Sequence, residues 1–251
     1  MSSNKSLAPA HLRAVLLDVE GTTTPVEFVY EVLFPFARRH VMEFIQRQRP
    51  SEEVLACLSG LRDERRADIE KGFAPPAWHE GADELPAKSV AAYVHWLMDE
   101  DRKSTALKSL QGKIWEAGYL GGRLQAPVYS DVPRAFARWR GQGRGIYIYS
   151  SGSILAQRLL FAHTDNGDLT GFIDGYFDTT TGAKTSADSY RSIGARISLP
   201  AAEVLFLSDV VAELDAAREA GMKTALCARA GWNESETPGH QIVLTFDPVF
   251  P

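Results

Sequence analysis

The fold is decided by residues 14–25, which read AVLLDVEGTTTP. They begin with a short run that is apolar at every position, Ala14 to Leu17, and this run ends directly in Asp18. A run that is apolar on both faces is typical of a strand buried in a parallel sheet. Four further runs of this kind follow along the chain: Gly145–Tyr149, Val204–Leu207, Thr224–Ala228 and Ile242–Leu244.

Helical periodicity separates the later apolar runs. Three helices are predicted there: Leu155–Phe161, Ser186–Ile197 and Glu213–Ala220. Alternating strands and helices predict an α/β fold with a doubly wound parallel sheet. Ligands of such sheets bind beyond the carboxyl ends of the strands. Asp18, Ser150 and Asp209 each follow the end of a predicted strand, which points to a shared site at that edge.

Residues 27–125 differ from the rest, because they contain almost no strand pattern. Apolar residues recur instead at helical spacing in three stripes: Val54, Leu58 and Leu61; Val90, Val94 and Leu97; Leu107, Leu110 and Ile114. A loop rich in proline and glycine, residues 72–86, interrupts them. We therefore predict a core formed by residues 1–26 and 126–251, with a helical cap, residues 27–125, inserted after the first motif.

The composition is that of a soluble globular protein. Apolar residues make up 45% of the 251 positions and charged residues 24%, and 27 basic against 32 acidic residues give a net charge of −5. This mild acidity gives no electrostatic reason to expect a nucleic-acid partner. No apolar stretch approaches the ~18 residues of a membrane span. Two isolated cysteines suit a reducing compartment, so we expect a cytoplasmic enzyme or small-ligand binder without a membrane partner.

Two acids lie two residues apart after the first strand, and both can reach one ligand if the chain turns at Gly21. A carboxylate can accept a phosphoryl group as an acyl phosphate, which makes Asp18 a candidate nucleophile. Glu20 is then a candidate acid for protonating the leaving oxygen. The alternative is an exposed acidic turn in which the threonines cap a helix.

Three later positions supply the other parts that phosphoryl transfer requires. Ser150 comes before a helix, where hydroxyls and backbone N–H groups form an anion site, or else an ordinary helix cap. Lys184 is either a neutralising cation or a surface lysine. Asp209 is either an oxygen ligand for Mg²⁺ or a helix cap. Taken together, these residues favour a phosphoryl-transfer site over four unrelated surface features.

The order Asp-x-Glu-Gly-Thr at residues 18–22, a strand followed by Ser150, then Lys184 and Ser-Asp at 208–209, resembles the haloacid dehalogenase superfamily of phosphatases. The likeness is closer to its enolase-phosphatase family of methionine salvage, because Glu20 replaces the usual second aspartate and Thr-Thr-Pro follows. Segments similar to that family extend from about Val15 to Trp232: residues 16–25, 33–35, 110–115, 147–153, 156–161 and 175–179.

The resemblance implies a haloacid dehalogenase-like Rossmannoid core and a bifunctional enzyme. It would enolise 2,3-diketo-5-methylthiopentyl 1-phosphate and then remove phosphate, giving the acireductone 1,2-dihydroxy-3-keto-5-methylthiopentene. Asp18 would be the nucleophile and a ligand of one Mg²⁺ per subunit. Glu20 would be the acid/base residue and would contribute to the metal site, through its backbone carbonyl, with Asp209 as the remaining protein ligand.

The same resemblance assigns the phosphate contacts. Ser150 and Ser151 would hold the phosphoryl group, and Lys184 would neutralise its charge. Glu213 either supports the site or caps a helix. The expected partner is a small phosphorylated substrate, and a monomer is expected because no heptad pattern or strongly apolar surface segment is visible.

Three other functions compete with this interpretation. A non-enzymatic receiver domain also uses aspartate, serine or threonine, lysine and Mg²⁺, but its phosphoacceptor follows the third strand and it lacks a large insertion. A metal-free dehalogenase of the same superfamily needs no acid at Glu20 and no metal ligand at Asp209. A phosphatase for another small phosphate ester is not excluded by fold, and only the family-specific segments argue against it.

Overall fold

The computed structural model describes residues 9–47, 51–79, 87–229 and 239–251. Residues 80–86 of the predicted loop, and Trp232 at the end of the sequence resemblance, lie outside these ranges. Within them, six strands form one sheet in which every neighbouring pair is parallel: β1 (Ala14–Leu17), β2 (Gly145–Tyr149), β3 (Gly175–Phe177), β4 (Val204–Ser208), β5 (Lys223–Cys227) and β6 (Gln241–Val243).

The strand order is β3-β2-β1-β4-β5-β6. After β1 the chain builds outward through β2 and β3, and it then returns to the other side of β1 for β4, β5 and β6. Parallel strands need crossover connections, which are right-handed, so this order winds the sheet in both directions. The predicted doubly wound α/β fold is confirmed. Its switch point lies between β1 and β4, where ligands of such sheets bind.

The sheet is the centre of the core because its strands are apolar on both faces. All four residues of β1 and the first four residues of β4 are fully buried. The flanking helices in this part of the chain are α5 (Val132–Gly141), α6 (Ile154–Ala162), α7 (Ala187–Arg196) and α8 (Val211–Glu219). Short 3₁₀ turns span Thr170–Phe172 and Ala201–Glu203. A strand so completely buried fixes the position of the turn that follows it.

The chain folds into two compact units. The first comprises Met1–Phe28 and Gln125–Pro251, and the second is Val29–Leu124. The second unit is helical and comprises α1 (Phe34–Arg47), α2 (Glu52–Glu70), α3 (Ala87–Asp99) and α4 (Thr105–Leu120). A π-helical segment, Phe28–Leu33, leads into α1. The three predicted stripes are the buried faces of α2, α3 and α4, as helical periodicity requires. Ser51 and Ser104 begin α2 and α4 by accepting backbone N–H bonds.

Three elements have no counterpart in the predicted pattern. β3 has only three residues, too few for an apolar run to stand out. α5 contains three arginines, and its apolar residues occupy a single narrow face. α1 follows directly on the π-helical segment without a side-chain cap, so its start carries no helix signal.

No helix in the described ranges is long and apolar enough to cross a membrane. Cys57 and Cys227 are both buried and both are free thiols.

Candidate active site

The turn after β1 is held by its own backbone. The N–H groups of residues 22, 23 and 24 all donate to the carbonyl of Val19, and the Gly21 N–H donates to the carbonyl of Thr24 at 2.8 Å. Gly21 has a φ of +68°, in the left-handed region that favours glycine. The turn at Gly21, which both acids need in order to reach one ligand, is therefore present. It places Asp18 and Glu20 on one compact loop.

Asp209 lies against this turn from the end of β4. A Cβ atom built on Gly21 would be only 2.1 Å from Oδ2 of Asp209. The carboxylate thus occupies the space that a side chain at residue 21 would need. Glycine is required here twice, once for its φ and once for this close approach. The contact brings Asp209 against the turn at Gly21, although β1 and β4 are far apart in sequence.

Lys184 reaches the same place from the loop between β3 and α7. Its Nζ lies 2.5 Å from Oδ1 of Asp18 and 2.8 Å from Oε2 of Glu213. The Asp18 side chain is only 3% exposed and that of Lys184 10%, so these ion pairs are shielded from water. Asp18 Oδ1 also accepts from the Val19 N–H at 2.8 Å. The predicted nucleophile and the predicted cation are therefore in direct contact.

Ser208, the last residue of β4, connects two of these acids. Its hydroxyl lies 3.0 Å from Oε2 of Glu213 and 3.3 Å from Oδ2 of Asp18, and it accepts from the Val210 N–H. One hydroxyl proton serves one acceptor at a time, and the shorter distance favours Glu213. Of the two alternatives for Glu213, contact with the site is thus the one found.

Ser150, which follows β2, approaches Glu20. The Gly152 N–H donates to Ser150 Oγ at 3.0 Å, so the Ser150 hydroxyl proton is directed to the Glu20 carboxylate, whose oxygens lie at 3.2 and 3.4 Å. Ser150 is buried, whereas Ser151 beside it is exposed. Ser153 begins α6 by accepting from the Ala156 N–H, and the serine-rich stretch therefore lies at a helix N-terminus.

The site holds more negative than positive charge. Four acidic side chains interact with one lysine, Lys184: those of Asp18, Glu20, Asp209 and Glu213. Burial, followed by repulsion from Asp18, raises the pKa of Glu20 above its usual value. The same two causes raise the pKa of Asp209 to about 6 and also raise that of Glu213. Burial opposes the charge of Lys184, but attraction by Asp18 and Glu213 outweighs it, so the pKa of Lys184 is raised.

This excess of negative charge fits a divalent cation. The predicted ligands are carboxylate and carbonyl oxygens, the donors that Mg²⁺ prefers. Among the described residues no group of three or more His, Cys, Asp or Glu side chains is arranged to hold a metal. The predicted set differs from such a group, because it uses the side chains of Asp18 and Asp209 with the backbone carbonyl of Glu20. The raised pKa values of Glu20 and Asp209 reflect burial first and repulsion from Asp18 second, and the positive charge of a bound cation would oppose both effects.

The doubly wound sheet, with acidic side chains at its switch point, is found in a known class of proteins. A family model described as haloacid dehalogenase-like hydrolase matches residues 12–221, most of the chain. CbbY from Rhodobacter sphaeroides, solved with phosphate, shares the fold with a TM-score of 0.56 at 16% identity, covering 92% of this chain and 93% of its own. The class is thus a hydrolase with an α/β core.

Similar proteins narrow the class to one family. Proteins named Enolase-phosphatase E1 are 46% identical in Synechococcus elongatus (96% of this chain, 99% of that protein) and 44% identical in Pseudomonas aeruginosa (95% and 98%). The crystal structure of UTR4 protein from Saccharomyces cerevisiae has a TM-score of 0.75 at 35% identity, covering 94% and 99%. The chain therefore belongs to the enolase-phosphatase family of haloacid dehalogenase-like hydrolases and is a phosphatase.

Sequence reasoning did not find every residue at the site. The sequence predicts no role for Ser208 beyond its place next to Asp209, because a serine that bridges two acids has no local sequence pattern. Arg229, which holds the turn after β1, lies beyond every motif. Its guanidinium donates from Nε and Nη2 to the carbonyl of Thr22 at 3.0 and 2.7 Å. Only its position directly after an apolar strand would have hinted at such a role.

Proposed function

We propose that this enzyme enolises 2,3-diketo-5-methylthiopentyl 1-phosphate and then dephosphorylates it, giving the acireductone of methionine salvage from methylthioadenosine. The observation that carries the proposal is the match over nearly the whole chain to proteins named Enolase-phosphatase E1, at 43–46% identity. The grouping of Asp18, Glu20, Ser150 and Lys184 supports it, because those residues supply a nucleophile, an acid/base group and phosphate contacts.

Glu20 serves the enolisation. Carbon 1 of the substrate carries both the proton that is lost and the phosphate ester oxygen, so one carboxylate can reach the two. The raised pKa of Glu20 suits a base that must hold its proton and return it. The Ser150 hydroxyl donates to the Glu20 carboxylate and keeps it oriented. Glu20 takes the proton from carbon 1 in the first step, and the electron pair of the broken C–H bond moves to the carbonyl oxygen of carbon 2 as an enolate, which takes a proton from solvent to become the enol. Glu20 then gives its own proton to the leaving oxygen in the second step.

Asp18 serves the phosphoryl transfer. A carboxylate oxygen of Asp18 attacks phosphorus, the bond between phosphorus and the ester oxygen breaks, and the enol leaves with the proton from Glu20. Water then attacks the acyl phosphate, which releases inorganic phosphate and restores Asp18. The enol formed first is a better leaving group than a simple alkoxide, which explains the order of the steps.

The phosphoryl group is bound by Ser150, Ser151 and Lys184. The serines lie at the N-terminus of α6, where hydroxyls and backbone N–H groups favour an anion. Lys184 already contacts Asp18, so its ammonium group lies where charge develops during the transfer. Exchange of the Asp18 contact for a phosphoryl oxygen would free the carboxylate to attack.

One Mg²⁺ per subunit would be held by the carboxylates of Asp18 and Asp209 and the carbonyl of Glu20. When bound, it supplies positive charge that lets two carboxylates and a phosphate group share one site. Asp209 packs on the Gly21 backbone beside that carbonyl. Burial and repulsion from Asp18 make the ionised carboxylate of Asp209 unfavourable, and a bound cation would stabilise it, which supports this assignment.

The proposal extends to the whole chain. The helical unit, predicted from sequence as residues 27–125, would be the cap that supplies apolar surface for the methylthio tail, since the core motifs can recognise only phosphate. We further propose a cytoplasmic monomer, in keeping with two free cysteines in a reducing compartment. Size-exclusion chromatography with light scattering tests the monomer, and a dimer at micromolar concentration would contradict it.

The decisive experiment presents the purified protein with a panel of phosphate esters. Released inorganic phosphate is measured together with ultraviolet absorption of the enol. We expect the methylthio substrate to give both signals, and excess chelator to stop phosphate release until Mg²⁺ is restored. Faster turnover of a sugar phosphate, without any enol signal, would instead support the alternative, a haloacid dehalogenase-type phosphatase for another small ester. Full activity in chelator would contradict the metal assignment.

A further inference from the structure

The backbone of residues 182–184, here called the lysine loop, is fastened in an unusual way. Three consecutive carbonyls of the loop each accept a hydrogen bond from a side-chain hydroxyl. The pairs are Tyr149 with Gly182 at 2.9 Å, Ser189 with Ala183 at 2.7 Å, and Tyr190 with Lys184 at 2.7 Å. These three hydroxyls are called the tethers below. One comes from the end of β2 and two from α7, so the loop is fastened from two elements.

The tethers are shielded from water. Tyr149 and Tyr190 are fully buried and Ser189 is 2% exposed. A carbonyl that loses its partner in such surroundings has no ready replacement, so each bond matters more than a surface bond would. The two tyrosine rings also pack edge to face, with centroids 5.5 Å apart, which restricts the positions of their hydroxyls.

Packing also leaves the first residue of the loop little freedom. Gly182 has a φ of +143°, and a Cβ atom built on it would lie 2.2 Å from Oγ of Ser189. The first residue of the loop is thus in close contact with one of the tethers. Backbone and tethers fit together so closely that a shift of one requires a shift of the other.

The ammonium group carried by this loop must be placed accurately. Lysine ends in a compact charge on a flexible four-carbon stem, so its location depends on where the backbone anchors the stem. The Lys184 Nζ contacts two acids at 2.5 and 2.8 Å. A loop displaced by an ångström would spoil those contacts and the approach to a phosphoryl group.

We propose that Tyr149, Ser189 and Tyr190 are positioning residues that set the location of Lys184 for phosphate. The inference rests on the proposed phosphate-binding role of Lys184. A purely structural role for the same hydroxyls would give a different result. Loss of a structural bond weakens the fold whatever stands at residue 184, whereas a positioning residue has no effect on turnover once the lysine is gone.

The test is a double-mutant cycle in the full-length protein. Tyr190→Phe and Lys184→Met are made separately and together, and kcat, KM and the inhibition constant of inorganic phosphate are measured with Mg²⁺ present. We expect Tyr190→Phe to lower kcat/KM and weaken phosphate inhibition about 3- to 10-fold, the usual value of one buried hydrogen bond. In the Lys184→Met protein the same change should have less than a twofold effect.

Tyr147→Phe is the matched control. Tyr147 lies on β2 two residues before Tyr149 and packs partly buried against the same core cluster, but it is not a tether. We expect its kcat/KM to stay within twofold of the unchanged protein. If Tyr190→Phe lowers the yield of folded protein, Ser189→Ala removes a different tether and is expected to behave in the same way.

Equal losses from Tyr190→Phe with and without Lys184 would overturn the inference, as would a loss no larger than that of Tyr147→Phe. The proposed function has its own separate outcome. Unchanged phosphate inhibition and turnover in Lys184→Met alone would remove the phosphate role of the lysine, and with it the reason for positioning.

Discussion

At the scale of single residues, Asp18 carries the clearest prediction. Its carboxylate is held by Lys184 and the Val19 N–H and is nearly inaccessible to solvent. Asp18→Asn keeps the shape and removes the nucleophile, so phosphate release should fall on the order of 10³-fold or more. Asp63→Asn on the exposed face of α2 is the control and should be unaffected. Ordinary turnover by Asp18→Asn would contradict the assignment of Asp18 as the nucleophile.

Gly21 gives a second prediction at this scale. Alanine there would be strained at a φ of +68° and would also collide with the Asp209 carboxylate. We expect Gly21→Ala to lose most activity and to need more Mg²⁺. Gly143→Ala is a matched control, because Gly143 has a φ of +73° with nothing within 4 Å of its Cβ position. Similar activity in both variants would show that the collision with Asp209 does not lower activity.

Asp209 gives a prediction about pH. Its pKa is raised from 3.8 to about 6, chiefly by burial and then by Asp18, so its ionised form is unfavourable in the folded protein. That penalty is present in full above pH 6 and shrinks as the pH falls from 6 toward 3.8, because the folded state then binds a proton that the unfolded state does not. Below pH 3.8 the carboxyl becomes protonated in both states and the penalty is gone. In chelator, Asp209→Asn should therefore raise Tm at pH 8, and the gain should shrink between pH 6 and 4.

The same Asp209 variant has an internal control. Added Mg²⁺ should raise the Tm of the unchanged protein at pH 8, because a ligand that binds only the folded state stabilises it. It should leave the Tm of Asp209→Asn nearly unchanged. A Tm that rises equally in both proteins would mean that the metal is held elsewhere.

At the scale of elements, the end of β5 is clamped to the turn after β1. The Arg229 guanidinium donates to the Thr22 carbonyl and, through Nη1, to both oxygens of Asp131 at 2.9 Å. The Cζ atom of Arg229 lies over two aromatic rings, 4.2 Å from the ring centroid of Tyr129 and 4.6 Å from that of Phe246. Both charges are at least nine-tenths buried. The clamp joins three separate segments: the end of β5, the turn after β1 and the start of α5.

Removing one member of a buried pair leaves the other charge uncompensated, which costs about 3–5 kcal/mol. Arg229→Met should lower the free energy of unfolding by that amount, measured by urea denaturation. Arg218→Met is the control, because Arg218 and Asp215 form an exposed pair on α8 worth less than about 1 kcal/mol. An equal loss of unfolding free energy in the two variants would mean that burial of the clamp adds nothing to stability.

At the scale of the whole molecule, the sheet order decides which parts meet. β1 lies between β2 and β4, so the turns that follow all three strands open at one edge. The helical unit, Val29–Leu124, has its own buried stripes and enters the chain between β1 and β2. Under the proposed function, the core would carry the catalytic residues and the helical unit would determine the choice of substrate.

The substrate tail tests that division. Burial of one methylthio group contributes roughly 1.5–3 kcal/mol, enough for ~10–100-fold preference. Shortening the tail to methyl should therefore raise KM by this factor while the inhibition constant of inorganic phosphate stays the same. An unchanged KM would mean that no apolar surface recognises the tail, and the cap would then have no role in specificity.

The sequence by itself determined five of the six strands, most helices and a set of candidate reacting groups. An apolar run such as Ala14–Leu17 and a stripe such as that of α3 are properties of neighbours along the chain, so their periods can be counted. The order of acids, serines and lysine also follows from the chain. Three elements were missed: β3 is too short, α5 has a single narrow apolar face among its arginines, and α1 begins without a side-chain cap.

Only the tertiary structure decided which of these groups touch. Asp18 and Lys184 are separated by 166 positions, yet Nζ of Lys184 lies 2.5 Å from Oδ1 of Asp18, because the chain before Lys184 forms β3, which lies in the same parallel sheet as β1 with only β2 between them. The bridge made by Ser208, the Arg229 clamp and the three tethers on the lysine loop have no periodic pattern. Each depends on a distance between remote segments, and such distances arise only when the buried strands take their order in the sheet.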